Sequence, residues 1–235
     1  IMSSGDYTPI AGGTDIIPQL RRGEPKKLME IDSLGLNFIK TNGNTIEIGA
    51  AVTHNMLASD SNIRSNLPLL SIAASQVGSQ QIRNRGTVGG NLVNASPCAD
   101  TAPALLIYDA ELILISKSSR RNVKLADFIT MPYMTVIQPD ELLHTIICKI
   151  KPVQNGISYI KLGRRQAVNI SRMTLAVSMA RDGENIIRGA QVSAGSVFPV
   201  PSRIREIEQM LSGRIGSQKL FEEASNLAAD LMIKD

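Results

Sequence analysis

Two glycine pairs constrain this chain more than anything else in it. Residues 11–15 read AGGTD and residues 87–100 read TVGGNLVNASPCAD, each with hydroxyl, amide or carboxylate side chains close behind the glycines and apolar stretches on either side. A main-chain N–H can donate to a diphosphate only where no side chain blocks the approach, so paired glycines suit phosphate contact in tight bends. Thr14 and Thr87 add hydroxyl donors. Either segment alone reads as a plain turn. Two of them, more than seventy residues apart, read as two jaws closing on one ligand. On that reading a side chain placed on Gly12 or Gly90 is expected to fill the phosphate site more than the core. Neither segment contains a G-x-G-x-x-G or a Walker lysine, so neither a Rossmann nor a P-loop site is indicated.

The rest of the composition narrows the partners. At 235 residues the chain is long enough for one large domain or two small ones, and its 43% apolar and 20% charged content is that of a folded protein. Lys and Arg outnumber Asp and Glu by only 25 to 21, and the basic residues fall in pairs such as Arg21/Arg22 and Arg164/Arg165. With four Phe, four Tyr and no Trp, rings for stacking bases are scarce, which argues against nucleic acid. The apolar run around APALLIYDAELILI is interrupted by Asp109 and Glu111, short of the roughly 20 residues that a membrane span needs. Cys98 and Cys148 form no CxxC pair and suit free thiols in a reducing cytoplasm. His54 and His144 stand alone in their segments and read as surface or packing residues; no metal site is expected.

Along the chain, YTPIA reads as extended and DIIPQLRRG as a helical turn stopped by Gly23. KLMEID and NTIEIGA read as strands with a hairpin turn at Asn42-Gly43 between them. Thr53 is placed to cap a short helix, and LPLLSIAASQVG reads as a buried helix ending at Gly78, which delivers the chain into QQIRNRGTVGGN. Asp100 or Thr101 can cap the next helix; ELILIS, RRNVKL and ELLHTIICKIKP follow as strands. Turn composition at PVQNG places a domain boundary there, dividing the chain into 1–153 and 154–235. Beyond it lie a β-hairpin turning at Asp182-Gly183 and two helices near 203–212 and 217–233, the second with Leu220, Phe221, Ala224, Leu227, Ala228 and Leu231 on one face.

TPIAGGTDI and QQIRNRGTVGGNLVNASPCAD, together with VTHNML, ASQVGS and the Y-x-K-L-x-R-R of Tyr159 to Arg165, resemble the FAD-binding medium subunit of the molybdenum hydroxylases, the family of carbon monoxide, nicotinate and xanthine dehydrogenases. The resemblance reaches nearly the whole chain. It implies an α+β fold: a two-subdomain FAD-binding domain of the PCMH, or vanillyl-alcohol-oxidase-like, type, followed by a small α+β C-terminal domain. It implies that Pro9, Ile10, Ala11, Gly12, Gly13, Thr14, Asp15 and Ile16 form a first FAD loop and Thr87, Gly89, Gly90 and Asn91 a second. Asn94 and Ser96 match further polar contacts, Asp100 a carboxylate near the ribose or phosphate end, Ile147 a backbone contact to the ring, and Lys161 a lysine near the pyrimidine side of the isoalloxazine. Val77 stands where some relatives carry an aromatic ring. The chain begins only ten residues before AGGTD, so the resemblance implies that part of the first subdomain lies outside it.

The function implied is that of an oxidoreductase subunit. It carries FAD between the [2Fe-2S] clusters of a small subunit and an external acceptor such as NAD, oxygen or a quinone, while a large molybdopterin subunit hydroxylates the substrate, the whole forming a dimer of heterotrimers. No residue of this chain is expected to be catalytic in the hydroxylation. Two alternatives stay open at this point: a standalone FAD-dependent reductase resembling the UDP-N-acetylenolpyruvoylglucosamine reductases, and a structural subunit that kept the fold and lost the flavin.

Overall fold

A computed structural model describes residues 7–24, 27–151, 155–165 and 168–234. The chain opens with β1 (Thr8–Ile10), α1 (Ile16–Arg21) and β2 (Leu28–Glu30), and β1 and β2 pair in parallel as a small two-stranded sheet. Between β1 and α1 lies AGGTD, where Gly13 has φ +71°, a conformation that a side chain would strain.

β3 (Ile39–Asn42) and β4 (Thr45–Gly49) then form the hairpin. Its loop is Gly43-Asn44, one residue later than the sequence suggested, with Gly43 in the first loop position at φ +57°. KLMEID and NTIEIGA are therefore not partners: β2 pairs back onto β1, and the strand preceding the turn is β3, which its polar KTN stretch conceals.

Six short helices follow: α2 (His54–Ser59), α3 (Ser61–Asn66), α4 (Pro68–Ser75), α5 (Gln80–Arg85), α6 (Val88–Asn94) and α7 (Thr101–Ile107). Side-chain oxygens cap four of them: Thr53 accepts from Met56 N, Asp60 from Ile63 N, Ser79 from Ile82 N and Thr87 from Gly90 N. The stretch QQIRNRGTVGGN, which has the look of a loop, is thus two helices meeting at Gly86, and the second glycine pair lies in the first turn of α6.

β5 (Glu111–Ile115), β6 (Arg120–Lys124), the single turn α8 (Leu125–Phe128), β7 (Ile129–Met131), β8 (Met134–Thr135) and β9 (Leu142–Lys149) complete the first region. β9 is the central strand of a five-stranded antiparallel sheet in the order β3-β4-β9-β5-β6. Its Leu143, Ile146 and Cys148 join Ile46, Ile48 and Leu112 against Leu57, Leu69, Leu70, Leu92 and Leu105 of the helices. Burying these side chains is the main favourable contribution holding helices to sheet, about 1.5–3 kcal/mol for each large aliphatic one.

The boundary expected at 153/154 lies outside the described residues. β10 (Asn155–Gly163), β11 (Ser171–Arg181), β12 (Ile187–Gly195) and β13 (Ser202–Arg203) form a four-stranded antiparallel sheet, followed by α9 (Arg205–Leu211) and α10 (Gln218–Lys234). The hairpin at Asp182 is present, its carboxylate accepting from the N–H groups of Glu184 and Ile186. Leu220 and Ala224 of α10 are buried, with Phe221, Leu227, Ala228 and Leu231 beside them, against Ile187, Val192, Ala194 and Ile207. The apolar face read from the sequence therefore covers this second sheet. No helix of the described residues is long and apolar enough to cross a membrane.

Candidate functional site

The two glycine segments line one cleft of about 680 Å³, a size that falls within the usual range of ligand sites. Of the residues singled out from sequence, Pro9, Ala11, Gly12, Gly13, Thr14, Asp15, Ile16, Thr87, Gly89, Gly90, Asn91 and Asn94 all face it. The segments also touch. A Cβ on Gly12 would begin 1.8 Å from the carbonyl oxygen of Arg85, so the first bend lies directly on the junction between α5 and α6. Gly12 is thus a packing glycine, and the expectation that its side chain would fill the phosphate site is corrected: it would drive the two segments apart. Gly89 is similar, since its Cβ would lie 2.6 Å from the Cβ and carbonyl oxygen of Ala50. Gly90 alone matches the expectation, with only Thr87 Oγ1 near, at 3.0 Å.

The main-chain donors are divided unequally between the segments. In the second, Val88 N donates to Val52 O, Gly89 N to Ala50 O, Gly90 N to Thr87 Oγ1 and Asn91 N to Thr87 O. Those amides are spent on folding. In the first, the N–H groups of Gly12, Gly13, Thr14 and Asp15 donate to no other described residue, so this bend carries the available amides. The second segment contributes side chains and a bare surface. Thr101 Oγ1 donates to Asn91 Oδ1 at 2.7 Å, which leaves the NH₂ of this lining residue as its donor group.

Among the described residues no Lys or Arg lines the cleft. Its two carboxylates differ. Glu141 is held by Arg121 through Nε at 2.6 Å and Nη2 at 2.8 Å, and it accepts from Gln138 N at 2.8 Å; the Arg121 bonds keep it below the ordinary carboxylate range. This pair fixes the wall formed by Ile137, Gln138, Pro139, Leu142 and Leu143. Asp15, by contrast, is pushed up by burial. Around the two bends an anion would be met by amides, hydroxyls and carboxamides, with Ile31, Val77, Ile82 and Val93 providing apolar surface, while the Glu141 carboxylate in the opposite wall is neutralised by Arg121.

Five of the expected residues are elsewhere. Ile10 places its side chain beneath Gly13. Ser96 accepts from Cys98 N in the turn between α6 and α7. Ile147 is on β9 four residues past Leu143, roughly 13 Å further along the strand, between Glu47 and Glu111. Asp100 and Lys161 form a buried ion pair at 2.7 Å, with side-chain exposures of 8% and 5%. Two groups that the resemblance matched to different parts of the cofactor are thus in direct contact with each other. Ser171 Oγ also donates to the Asp100 carboxylate, and Tyr159 Oη to the Asp100 carbonyl at 2.9 Å. Asp100 does not cap α7; its oxygens are taken by the C-terminal region. Burial raises its pKa, opposed by the bonds from Lys161 and Ser171.

Sequence reasoning missed the wall residues His54, Tyr133, 137–139 and 141–143, because nothing in the local pattern tells that α2 and the start of β9 border the bends. The one available signal was the position of Thr53-His54 at a helix start. That start is tied to the second segment by the Thr53–Thr87 bridge and by His54 N donating to Gly86 O at 3.0 Å.

A helix-covered antiparallel sheet with a dinucleotide-sized cleft at one end, followed by a sheet-and-helix module, defines a two-part flavin-domain architecture. Residues 1–148 match the family model described as the FAD binding domain in molybdopterin dehydrogenase, and residues 158–233 match that of the CO dehydrogenase flavoprotein C-terminal domain. The chain belongs to this family, the FAD-binding medium subunits of molybdenum-containing oxidoreductases. It is 34% identical to the glyceraldehyde dehydrogenase medium chain of Sulfolobus acidocaldarius, over 93% of this chain and 78% of that protein. It is 32% identical to the nicotinate dehydrogenase FAD-subunit of Eubacterium barkeri, over 87% of this chain and 71% of that one. Carbon monoxide dehydrogenase from Hydrogenophaga pseudoflava has a similar structure, with TM-score 0.88 and 28% identity over 94% of this chain and 77% of that one. Membership decides the fold class as expected and favours the subunit over the standalone reductase.

Proposed function

We propose that this chain is the FAD-carrying electron relay of a molybdenum hydroxylase, taking electrons from [2Fe-2S] clusters on a partner subunit and passing them to an external acceptor. The observation that carries the reading is the cleft itself. Two segments distant in sequence meet there, one whose amides at Gly12 to Asp15 donate to no other described residue and the other with a bare Gly90 and the carboxamide of Asn91. FAD, when bound, supplies a carrier that accepts electrons singly and releases them singly or in pairs. The chain's residues hold and orient it: the first bend binds the diphosphate, Thr87, Asn91 and Asn94 add polar contacts, and the wall pinned by Arg121–Glu141 excludes water from the apolar side.

The family resemblance supports an iron–sulfur small subunit and a molybdopterin large subunit as partners, assembled as a dimer of heterotrimers. The same resemblance assigns molybdenum and the iron–sulfur clusters to those partners. The unpaired Cys98 and Cys148 support a cytoplasmic setting. We place the domain boundary at 153/154.

The test is made on the native complex. Substoichiometric dithionite should bleach the flavin band near 450 nm together with the cluster absorbance, and removal of FAD should leave the clusters reducible while abolishing turnover with the acceptor. A complex that carries no flavin and takes up none would establish the flavin-free structural subunit instead.

A further inference from the structure

His54 is read from sequence as an ordinary packing residue, yet its surroundings do not fit that role. It is 2% exposed, forms part of the cleft wall, and its Nδ1 is buried with no hydrogen-bond partner among the described residues. A ring that served only to fill space would be replaced at a gain by an apolar one, because a buried nitrogen without a partner is a standing cost. The other edge of the ring faces the meeting point of the two segments. Cδ2, the carbon bonded to Nε2, lies 3.3 Å from where a side chain on Gly86 would begin, and Thr14 Oγ1 lies 3.3 Å from that same point. The imidazole and the hydroxyl of the first bend are therefore neighbours across a glycine, beside the unengaged amides of Gly12 to Asp15.

The proton's position follows from the burial. An orphaned buried N–H is rarer in folded proteins than an under-used acceptor, so the neutral ring leaves Nδ1 as the bare acceptor and carries its proton on Nε2. The ring is neutral at pH 7, since burial, with Arg83 adding to it, presses its pKa down to about 4. A neutral N–H donor matches bends that meet an anion with dipoles and, among the described residues, have no lining cation.

We propose that His54 is a further binding residue of the cofactor site, its Nε2–H donating to a diphosphate oxygen of the FAD held by the first bend. This rests on the FAD reading of the cleft.

The full chain is stripped of flavin and titrated with FAD by flavin fluorescence, alongside His54→Leu, which removes the donor, and His54→Gln, which keeps one. The leucine variant is expected to bind FAD about tenfold more weakly or worse, and the glutamine variant to stay within about threefold of the parent. The flavin-free leucine variant should melt no lower than the parent, because an unpartnered nitrogen has been removed. Equal FAD affinity in the parent and the leucine variant overturns the proposal and leaves the FAD reading intact. Failure of the parent to take up FAD overturns both. A leucine variant that loses FAD while its flavin-free form also melts several degrees lower, with glutamine no better, assigns His54 to packing and overturns it too. Should the leucine variant not fold, ¹⁵N NMR of the histidine-labelled parent decides: an Nε2-protonated His54 whose signal moves on adding FAD supports the proposal, and an Nδ1-protonated ring or an unmoved signal overturns it.

Discussion

Lys161 Nζ lies 2.7 Å from Asp100 Oδ2, with both side chains more than nine-tenths buried and each on a different side of the chain's two-part architecture. The lysine also donates to Gln76 O at 2.9 Å, so a single cation ties α7 and the end of α4 to β10. A second cross-link runs from Asp109 to Arg203 at 3.0 Å, with Lys151 of the same region also on that carboxylate at 2.9 Å, but Asp109 is 40% exposed. Solvent screening sets the two apart. Breaking one partner of a buried pair costs about 3–5 kcal/mol, whereas exposed pairs contribute about 0–1 kcal/mol.

Lys161→Met and Asp100→Asn should therefore each lower the urea midpoint by an amount corresponding to about 3–5 kcal/mol, and the double variant should cost much less than the sum of the two. Asp109→Asn should cost no more than about 1 kcal/mol, and the loss should shrink further in high salt. Equal losses at Asp100 and Asp109 would show that burial of the first pair does not govern the docking of the two parts.

The glycines separate packing from binding. Gly12→Ala places a carbon 1.8 Å from a backbone oxygen that has no flexible end to swing away, so the flavin-free protein should melt lower, by the equivalent of about 1–3 kcal/mol, and lose FAD as well. Gly90→Ala meets only Thr87 Oγ1 and sits in a helix, where alanine is favoured over glycine by about 0.5–1 kcal/mol. Its flavin-free melting temperature should hold or rise while its FAD affinity falls. Thermal melts with and without added FAD distinguish the two. A Gly90→Ala variant that binds FAD as the parent does would remove the second segment from the binding surface.

The contrast between these glycines also marks where the sequence could be read and where it could not. Capping at Thr53, the stop at Gly23 and the amphipathic face of α10 are local and were visible in the pattern, whereas α4 ends at Ser75, three residues ahead of Gly78. That two bends converge was visible only through the pairing of two unusual segments. What each glycine does was not, because Gly12 owes its lack of a side chain to Arg85 and Gly89 owes its own to Ala50, neighbours brought there by the fold. The same holds for Gly90 N, which reads as a free donor until the Thr87 cap claims it. Asp100 and Lys161 are 61 residues apart, and no spacing rule shows that they neutralise each other. β10 was not read as a strand although it carries Tyr159 and Lys161.

The buried His54 makes a pH signature that the flavin-free protein should display. Its pKa falls from 6.5 to about 4 on folding, because burial disfavours the charged ring and Arg83 repels it. The unfolded chain thus binds a proton near pH 6.5 that the folded chain refuses until pH 4. Stability from this group is full above pH 6.5, declines as pH falls toward 4 and is flat below, with a total loss of about 3 kcal/mol. Carboxylates such as Glu141, held low by Arg121, lose their contribution further down the scale and are common to parent and variant. Subtracting the urea stability of His54→Gln from that of the parent at each pH therefore isolates the histidine. The difference should be constant from pH 8 to 7 and should move against the parent between pH 6.5 and 4. A flat difference across that window would mean that the ring gains its proton as readily in the folded protein as in the unfolded one, and that His54 is not sealed in the wall of the cleft.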